Sequence, residues 1–243
     1  MLNEPTGWRR RALLGAALAA PCWVWAEGSA ASSAEWPKAV TLDYHMRRGL
    51  LSGTGRLAWQ PQGERYVLRL EARLPLLGVL LTQTSVGRLG PQGLMPERFT
   101  DERLRRPVRT ADFQRPDGPI RFTGRSETAP LQPGMQDRLS WMLQLAWRVQ
   151  TEARLREPGR ELEMPVVGAR GDVDLWSFRL QGEQTLSLAG GRTAKTLRYE
   201  RLARDPGDHR AEVWLDPVLQ HLPARARLSD GKDDPLDLVL VAP

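Results

Sequence analysis

The stretch Arg65-Tyr66-Val67-Leu68-Arg69-Leu70-Glu71-Ala72-Arg73-Leu74 decides the fold class of this chain. Apolar or aromatic residues stand at every second position from Tyr66 to Leu74, and all but one of the positions between them are charged. Successive side chains of a β-strand point to opposite faces, so this alternation predicts a strand with one buried and one solvated face. Such strands are typical of antiparallel sheets.

Similar patterns flank this stretch on both sides. Residues 40–47 alternate in the same way and predict a first strand, and glycines in the segment 49–55 end it. Residues 76–81 form a short apolar run, and residues 82–87 have strand-like composition. Further along, segments 108–114 and 120–123 surround a Pro-Asp-Gly-Pro turn, which favours a hairpin.

One segment has a helical period instead. From Gly134 to Val149 the apolar residues recur three or four positions apart, which predicts an amphipathic helix at about 134–149. Asp137 lies near its start, where a negative charge complements the helix dipole. Trp141 and Trp147 widen the apolar surface, so we expect the helix to pack between the sheet and a second layer.

Strand patterns resume after the helix and continue to the C-terminus. The predicted strands are 161–168, 172–180, 184–189, 193–201, 210–216, 223–229 and 236–241, and turn residues such as Gly190-Gly191, 205–208 and 230–233 separate several of them. The sequence therefore predicts a mainly β fold. We expect an antiparallel meander curled into a barrel or half-barrel, with one amphipathic helix packed against it.

The N-terminus has the layout of a secretory signal peptide. Three arginines, Arg9 to Arg11, precede the uncharged segment 12–26, which ends in Val24-Trp25-Ala26. We therefore predict a signal peptide at 1–26, a flexible lead-in at 27–38 and a single β domain at 39–243. We expect a periplasmic location, with the general secretory and twin-arginine routes both open.

The only cysteine, Cys22, lies inside the predicted signal peptide. A mature chain without cysteine forms no disulfide, even in an oxidising compartment. Lipidation of Cys22 would anchor the protein to a membrane, but Pro21 stands where glycine or alanine is expected. We therefore expect no lipid anchor and at most a peripheral contact with the membrane.

Charge and motif composition exclude several classes of function. The net charge is +6, and the densest basic cluster, Arg98 to Arg109, is interleaved with acidic residues. Together with export, this argues against nucleic-acid binding. His45, His209 and His221 have no metal-ligand spacing, and the glycines fit neither dinucleotide nor phosphate loops, so we predict no metal and no cofactor.

Two pairs of carboxylates could support acid catalysis. Glu161 with Glu163 and Asp172 with Asp174 stand two residues apart, hence on one face of a strand, where like charges raise a pKa. An exposed sheet face gives the same pattern, and Ser140 lies in the predicted helix without a nucleophile motif. We expect a binding protein rather than an enzyme, with a hydrolase of envelope glycans as a less favoured alternative.

Several motifs resemble the DUF3108 family, exported bacterial proteins of unknown function. They are Arg210-Ala211-Glu212-Val213-Trp214-Leu215-Asp216, Leu222-Pro223-Ala224-Arg225-Ala226-Arg227-Leu228, Gly93-Leu94-Met95-Pro96, Ala111-Asp112-Phe113 and Gln136-Asp137-Arg138-Leu139-Ser140. Ala224 is a departure, since the family more often has valine there. The resemblance covers about residue 39 to the end, and it implies export and domain extent but no activity.

The stretch Val213 to Asp216, followed by a strand that begins at a proline, is also similar to the half-barrels of periplasmic lipoprotein carriers. Those proteins hold acyl chains against a curved sheet, and the likeness is one of fold. It leads to our first hypothesis, a carrier for an apolar or acylated envelope component. The candidate ligand-lining residues are Trp176, Phe178, Tyr199 and Trp214.

The second hypothesis is an interaction module without a ligand cavity. It would dock on an envelope protein through an exposed strand edge or through Arg103, Arg105 and Arg106. In either case we expect a monomer.

Trp214 is a special position in both hypotheses. Val213 and Leu215 face one side of their strand, so Trp214 shares the other side with Glu212 and Asp216. The sequence predicts that the helix or a loop covers this ring, or that the ring borders the ligand opening.

Overall fold

The strands pair mostly in chain order to form one continuous sheet. A computed structural model describes residues 36–205, 208–229 and 234–242. The predicted signal peptide, Cys22, most of the lead-in, residues 206–207 of one predicted turn and the whole predicted turn 230–233 lie outside the described residues. No helix among the residues that are described is long and apolar enough to span a membrane.

Fourteen strands and one α-helix occupy the described residues. The strands are β1 Val40–Arg48, β2 Leu51–Gln62, β3 Arg65–Leu74, β4 Gly78–Gly90, β5 Gly93–Arg103, β6 Arg109–Phe113, β7 Ile120–Phe122, β8 Gln136–Asp137, β9 Glu161–Val167, β10 Val173–Ser187, β11 Thr193–Arg201, β12 Arg210–Asp216, β13 Leu222–Ser229 and β14 Leu236–Ala242. The helix α1 is Ser140–Thr151. Short 3₁₀ turns lie at Ala153–Arg156, Ala189–Gly191 and Pro217–Leu219.

The strand order is β7-β6-β5-β4-β3-β2-β1-β14-β13-β12-β11-β10-β9-β8. Neighbouring strands are antiparallel, except that β8 and β9 are parallel. The pairing of β14 with β1 joins the two halves of the chain into one sheet. Because β7 and β8 are the two ends of this order, the sheet does not close. The predicted mainly β fold with one helix is confirmed. Of the two predicted alternatives, a barrel and a half-barrel, the sheet is not a closed barrel.

The alternation of β3 explains how the sheet buries one face. Its apolar residues, Tyr66 to Leu74, are buried, while Arg65, Arg69 and Arg73 are exposed. On the outer face, arginines pair with carboxylates of the adjacent strand, as Arg56 does with Asp43. Such cross-strand pairs stabilise the pleated surface modestly. The many arginines of the chain therefore lie largely on a solvated sheet face.

Three elements differ from the predictions. The segment 49–55 was expected only to end β1, but β2 runs through Gly53 and Gly55. A Cβ on Gly53 would lie 2.1 Å from the carbonyl oxygen of Arg73, so glycine lets the two backbones approach closely. In addition, β4 and β10 are each one strand where two segments were predicted. The strand β10 continues through a register shift between Leu180 and Gly182.

The helix is confirmed, but it begins at Ser140 rather than at about residue 134. The Asp137 side chain accepts hydrogen bonds from the backbone N–H groups of Leu139, at 2.8 Å, and Ser140, at 2.7 Å. Short polar side chains that bond nearby backbone groups compete with helix formation. Gln136 and Asp137 instead pair with β9 as a short strand.

The antiparallel order brings alternate turns to the same end of the sheet. We call the end with turns 49–50, 75–77, 104–108 and 168–172 the open end. The opposite end, with turns 63–64, 91–92 and 217–221, is the closed end, because α1 packs there. Trp147 of α1 stacks on Trp36 with ring centroids 5.3 Å apart, and Gln150 bonds His221 at 2.8 Å.

Candidate functional site

A cleft of about 520 Å³ lies at the open end of the curled sheet. Its size is within the range of small-molecule sites, roughly 300 to 1,000 Å³. Apolar and aromatic side chains form much of its wall, among them Leu70, Phe99, Trp141 and Trp176. The helix α1 contributes Trp141 to this wall.

Charged side chains surround the apolar wall. Six arginines line the cleft, namely Arg48, Arg103, Arg125, Arg138, Arg170 and Arg210. Three aspartates do so as well, namely Asp101, Asp172 and Asp234. The lining thus carries an excess of positive charge above an apolar wall. We call this site the arginine-rimmed cleft.

A second cavity of about 250 Å³ adjoins the arginine-rimmed cleft. The two share Arg48, Leu81, Arg103, Arg170 and Leu236 in their linings. Leu104 and Arg106, in the turn between β5 and β6, also line the second cavity. Together they give the open end a continuous concave surface.

Trp176 forms a rigid part of the cleft wall. The guanidinium carbons of Arg138 and Arg201 each lie 4.7 Å from its ring centroid. Trp141 of α1 contacts the same ring at 5.5 Å. Cation–π contacts of this kind fix an aromatic ring in one orientation and stabilise it. Arg138 is held in turn by an ion pair with Asp172.

Behind Trp176, a buried arginine connects three segments of the open end. The side chain of Arg201 is fully buried and donates to Asp174 at 2.5 Å and to Asp208 at 2.9 Å. It also donates to the backbone oxygen of His209. A buried charge needs such partners, because an unpaired one destabilises the fold strongly. The network ties β10, β11 and the segment before β12 together at the cleft.

The protonation states of the cleft follow from burial and from the arginines. Burial lowers the pKa of His209, and Arg138 lowers it further, so the imidazole is neutral at pH 7. Burial raises the pKa of the Asp172 carboxyl, but the attraction of Arg138 outweighs it and the net pKa is below the usual value. The positive charge of the cleft therefore comes from its arginines.

A second buried polar cluster anchors the helix, outside the cleft lining. Asp137 is fully buried, and Ser85 Oγ donates to its Oδ2 at 2.5 Å. Tyr66 Oη lies 2.9 Å from the same Ser85 Oγ. Burial raises the pKa of Asp137 to about 6. The sequence predicted only that Asp137 complements the helix dipole, and its burial depends on contacts with the distant strands that carry Tyr66 and Ser85.

The structure separates the four residues that were predicted to line a ligand site. Trp176 lines the cleft. Phe178 stacks on Trp141 at 5.0 Å, behind the wall. The Tyr199 hydroxyl donates to the backbone oxygen of Leu155 at 2.9 Å. Tyr199 is not among the described residues that line the cleft.

Trp214 lies on the outer face of the sheet. Arg198 and Arg225 cover its ring, with guanidinium carbons 5.6 and 4.6 Å from the centroid, and its Nε1 donates to Gln184 at 2.7 Å. These residues come from the neighbouring strands β11, β13 and β10. The ring is therefore covered, as one of the two alternatives required, but side chains of neighbouring strands cover it rather than the helix or a loop.

The three arginines that were predicted to dock a partner lie at the open end but face different surroundings. Arg103 pairs with Asp101 at 3.1 Å and lines both cavities. Arg106 lines the second cavity, and Arg105 is exposed with a positive φ of 56°. Arg103 and Arg106 therefore share the second cavity, whereas Arg105 lies outside both cavity linings.

The carboxylate pairs are engaged with neighbouring side chains. Glu161 forms an ion pair with Arg179, and Glu163 accepts a hydrogen bond from Ser177 at 2.9 Å. Asp172 and Asp174 are held by Arg138 and Arg201, as described above. Within the described part of the chain, no group of three histidine, cysteine or acidic residues is placed to hold a metal ion.

Comparisons with known proteins agree with this architecture. A crystal structure of a beta-barrel-like protein of the domain of unknown function DUF1849, from Brucella abortus, superposes with a TM-score of 0.52. The match covers 85% of this chain and 97% of that chain at 11% sequence identity, so it shows the fold alone.

No curated protein sequence matches the chain. The model of the family described as protein of unknown function DUF3108 matches residues 41–237. That range contains nearly all of the sheet, the helix and the cleft, so the protein belongs to the DUF3108 family.

Proposed function

We propose that this protein is an exported binding protein whose arginine-rimmed cleft takes an acylated ligand with an acidic head group. The acyl chain would lie against Leu70, Phe99, Trp141 and Trp176, and the head group would meet the arginines. The observation that carries the proposal is this placement of an apolar wall directly beneath an excess of guanidinium groups.

The two parts of the cleft suit the two parts of such a ligand. Burying an apolar chain is favoured by about 25 cal/mol for each Å² that is removed from water. Arginine binds carboxylate and phosphate groups with paired hydrogen bonds, which adds geometric selectivity. A purely apolar ligand would offer no acidic group for these guanidinium groups to bind.

Not every lining arginine is free to meet a ligand. Arg103 and Arg138 are already paired with aspartates. Arg170 and Arg210 are exposed and form no ion pair with any other residue that the structure describes. These two are therefore the side chains that we assign to the acidic head group.

Export rests on the sequence of residues 1–26 and on the resemblance to a family of exported proteins. An envelope location fits an acylated ligand, because such compounds are made and moved at membranes. Fractionation of cells that carry the full chain should recover the mature protein in the periplasm, and recovery of uncleaved protein in the cytoplasm would contradict this.

Titration with the fluorescent fatty acid dansyl-undecanoic acid tests the binding function. We expect a saturable rise in dansyl emission with the unchanged chain. Leu81→Trp should weaken binding about tenfold or more, because Leu81 lines both cavities and a larger ring would occupy them. Leu89→Trp is the matched control, since Leu89 lies on the same strand, is also partly buried, and is far from the cleft.

The acidic head group is tested separately. Arg170→Gln with Arg210→Gln should weaken binding of the dansyl acid by about tenfold, since a charged hydrogen bond contributes roughly 1.5 to 3 kcal/mol in a buried site and less at an exposed one. The same change should leave binding of the corresponding dansyl alcohol nearly unaltered. Arg192→Gln, at an exposed position of the closed end, serves as the charge control.

Absence of saturable binding would overturn the proposal. Equal affinities for the Leu81→Trp and Leu89→Trp variants would place the ligand elsewhere. Equal losses for acid and alcohol would refute the role of the arginines while leaving the apolar site intact.

A further inference from the structure

Exposed apolar side chains are concentrated at the open end. Ten large apolar residues are exposed within the described ranges, and six of them lie on or directly beside three open-end turns. They are Leu50, Leu51, Leu76, Leu77, Leu104 and Val108. The closed end has Val218 and Val241. Leu50 and Leu76 are exposed to 104% and 105%, so no other part of the described chain shields them.

The three turns share a sequence pattern. They read Arg47-Arg48-Gly49-Leu50-Leu51, Arg73-Leu74-Pro75-Leu76-Leu77 and Leu104-Arg105-Arg106-Pro107-Val108-Arg109. Each combines two or more apolar residues with arginine and has no acidic residue. We call these three segments the apolar tips.

The sheet order places the apolar tips in a row. They connect β1 to β2, β3 to β4 and β5 to β6, and these six strands are consecutive neighbours. Strands lie about 4.8 Å apart, so adjacent tips are roughly 10 Å apart. The arginine-rimmed cleft opens at the same end, since Arg48, Leu81 and Arg103 border both the tips and the cavities.

Charge at the tips is positive and partly uncompensated. Arg47, Arg105 and Arg106 form no ion pair with another described residue, whereas Arg73 pairs with Glu71 at 2.9 Å. Among the described residues, Asp234 lies against Gly49 of the first tip. The row of tips therefore presents exposed apolar groups alongside free guanidinium groups.

We infer that the apolar tips dock this protein on a lipid bilayer whose head groups are anionic. The leucines would enter the interfacial layer, as the apolar faces of peripheral proteins do, and the arginines would meet lipid phosphates. A protein partner fits less well, because a protein interface buries a contiguous packed patch, whereas these side chains stand on separate tips. The inference goes beyond the proposed ligand site, and docking does not require that the cleft be occupied.

Vesicle flotation tests the inference with the full-length chain. Vesicles of equimolar phosphatidylcholine and phosphatidylglycerol should bind the protein, and vesicles of phosphatidylcholine alone should bind it more weakly. Leu50→Ser with Leu76→Asn should lower the partition to anionic vesicles by about tenfold or more, because burial of leucine side chains in the interfacial layer favours binding. Arg105→Gln with Arg106→Gln should lower it by roughly tenfold on anionic vesicles alone.

The control variant is Val218→Ser with Val241→Ser, which removes exposed apolar groups from the closed end. Residues 1–26 are themselves apolar and basic, so all variants keep them and their contribution cancels in each comparison. Thermal unfolding of every variant shows whether the fold is retained.

Three outcomes would overturn the inference. The unchanged chain could fail to bind either vesicle, which would favour a protein partner for the tips. The tip variant could bind as well as the unchanged chain. The closed-end control could lose as much binding as the tip variant, which would show that binding does not depend on the tips.

Discussion

The closed and open ends of the same sheet are built in opposite ways. At the closed end, α1 is buried over most of its length and Gln144 bonds the backbone of Leu94 and Gln92 at 2.7 and 2.9 Å. At the open end, arginines surround a cleft and Leu50 and Leu76 are fully exposed. The comparison indicates that the helix is anchored at the closed end, whereas the open end carries exposed leucines and an arginine-lined cleft.

Removing an aromatic ring from the closed end should have the largest effect on stability. Trp59 is 1% exposed, lies 5.6 Å from both Trp36 and Tyr66, and donates to the backbone oxygen of Pro37. Trp59→Ala should lower the free energy of unfolding by about 3 to 5 kcal/mol. Urea denaturation measures this, and a loss below about 1 kcal/mol would contradict a stabilising closed end.

Trp214→Ala is the matched change on the outer face of the sheet. Two cation–π contacts and one hydrogen bond hold this ring, so we expect a smaller loss of about 2 kcal/mol. Affinity for the dansyl acid should not change. A larger loss than for Trp59→Ala would show that the outer face contributes more stability than the closed end.

The buried Asp137 should make stability depend on pH. Its pKa of about 6 in the folded state exceeds the unfolded value of 3.8, so the folded state binds more protons in this range. The free energy of unfolding should therefore fall by on the order of 3 kcal/mol as pH rises from about 4 to about 7.

Asp137→Asn removes this titration and can still accept the bonds from Leu139 and Ser140. The difference between the two stability curves isolates the contribution of Asp137 from those of all other ionisable groups. A difference that does not vary with pH would contradict the assignment of a buried, titrating carboxyl.

Changes at the apolar tips should have the smallest effect on stability. Leu76 has a positive φ of 67°, a conformation that asparagine adopts more readily than leucine. Leu50→Ser with Leu76→Asn should therefore alter the free energy of unfolding by less than about 0.5 kcal/mol. A loss of several kcal/mol in chemical denaturation would show that the open end is part of the stabilising core.

The sequence predicted the parts of this fold that depend on local pattern. The alternation in β3 and the helical period after Gly134 both identify their elements, because the order of apolar and polar residues within one segment determines which face is buried. The start of α1 was missed because Asp137 bonds the backbone locally, which periodicity does not register. Gly53 and Gly55 concealed β2 for a similar reason, since their role is a close approach to another strand.

The site depends on contacts between distant parts of the chain, and so most of it could not be read from the sequence. The register of β11, β12 and β13 places Arg198 and Arg225 opposite Trp214, and this cover is not visible in any one segment. The cleft likewise assembles residues from β1, β4, β5 and the segment 168–172. Trp176 was predicted as an aromatic residue on a strong strand, and in the structure it lines the cleft.

Amide hydrogen exchange with and without dansyl-undecanoic acid tests most directly whether binding is confined to the open end. The account predicts that the ligand slows exchange in residues 81–83, 101–103 and 168–172, which line the cleft, and leaves residues 140–151 of α1 unchanged beyond Trp141. Protection centred on the closed end, or no change in exchange at a saturating concentration, would contradict it.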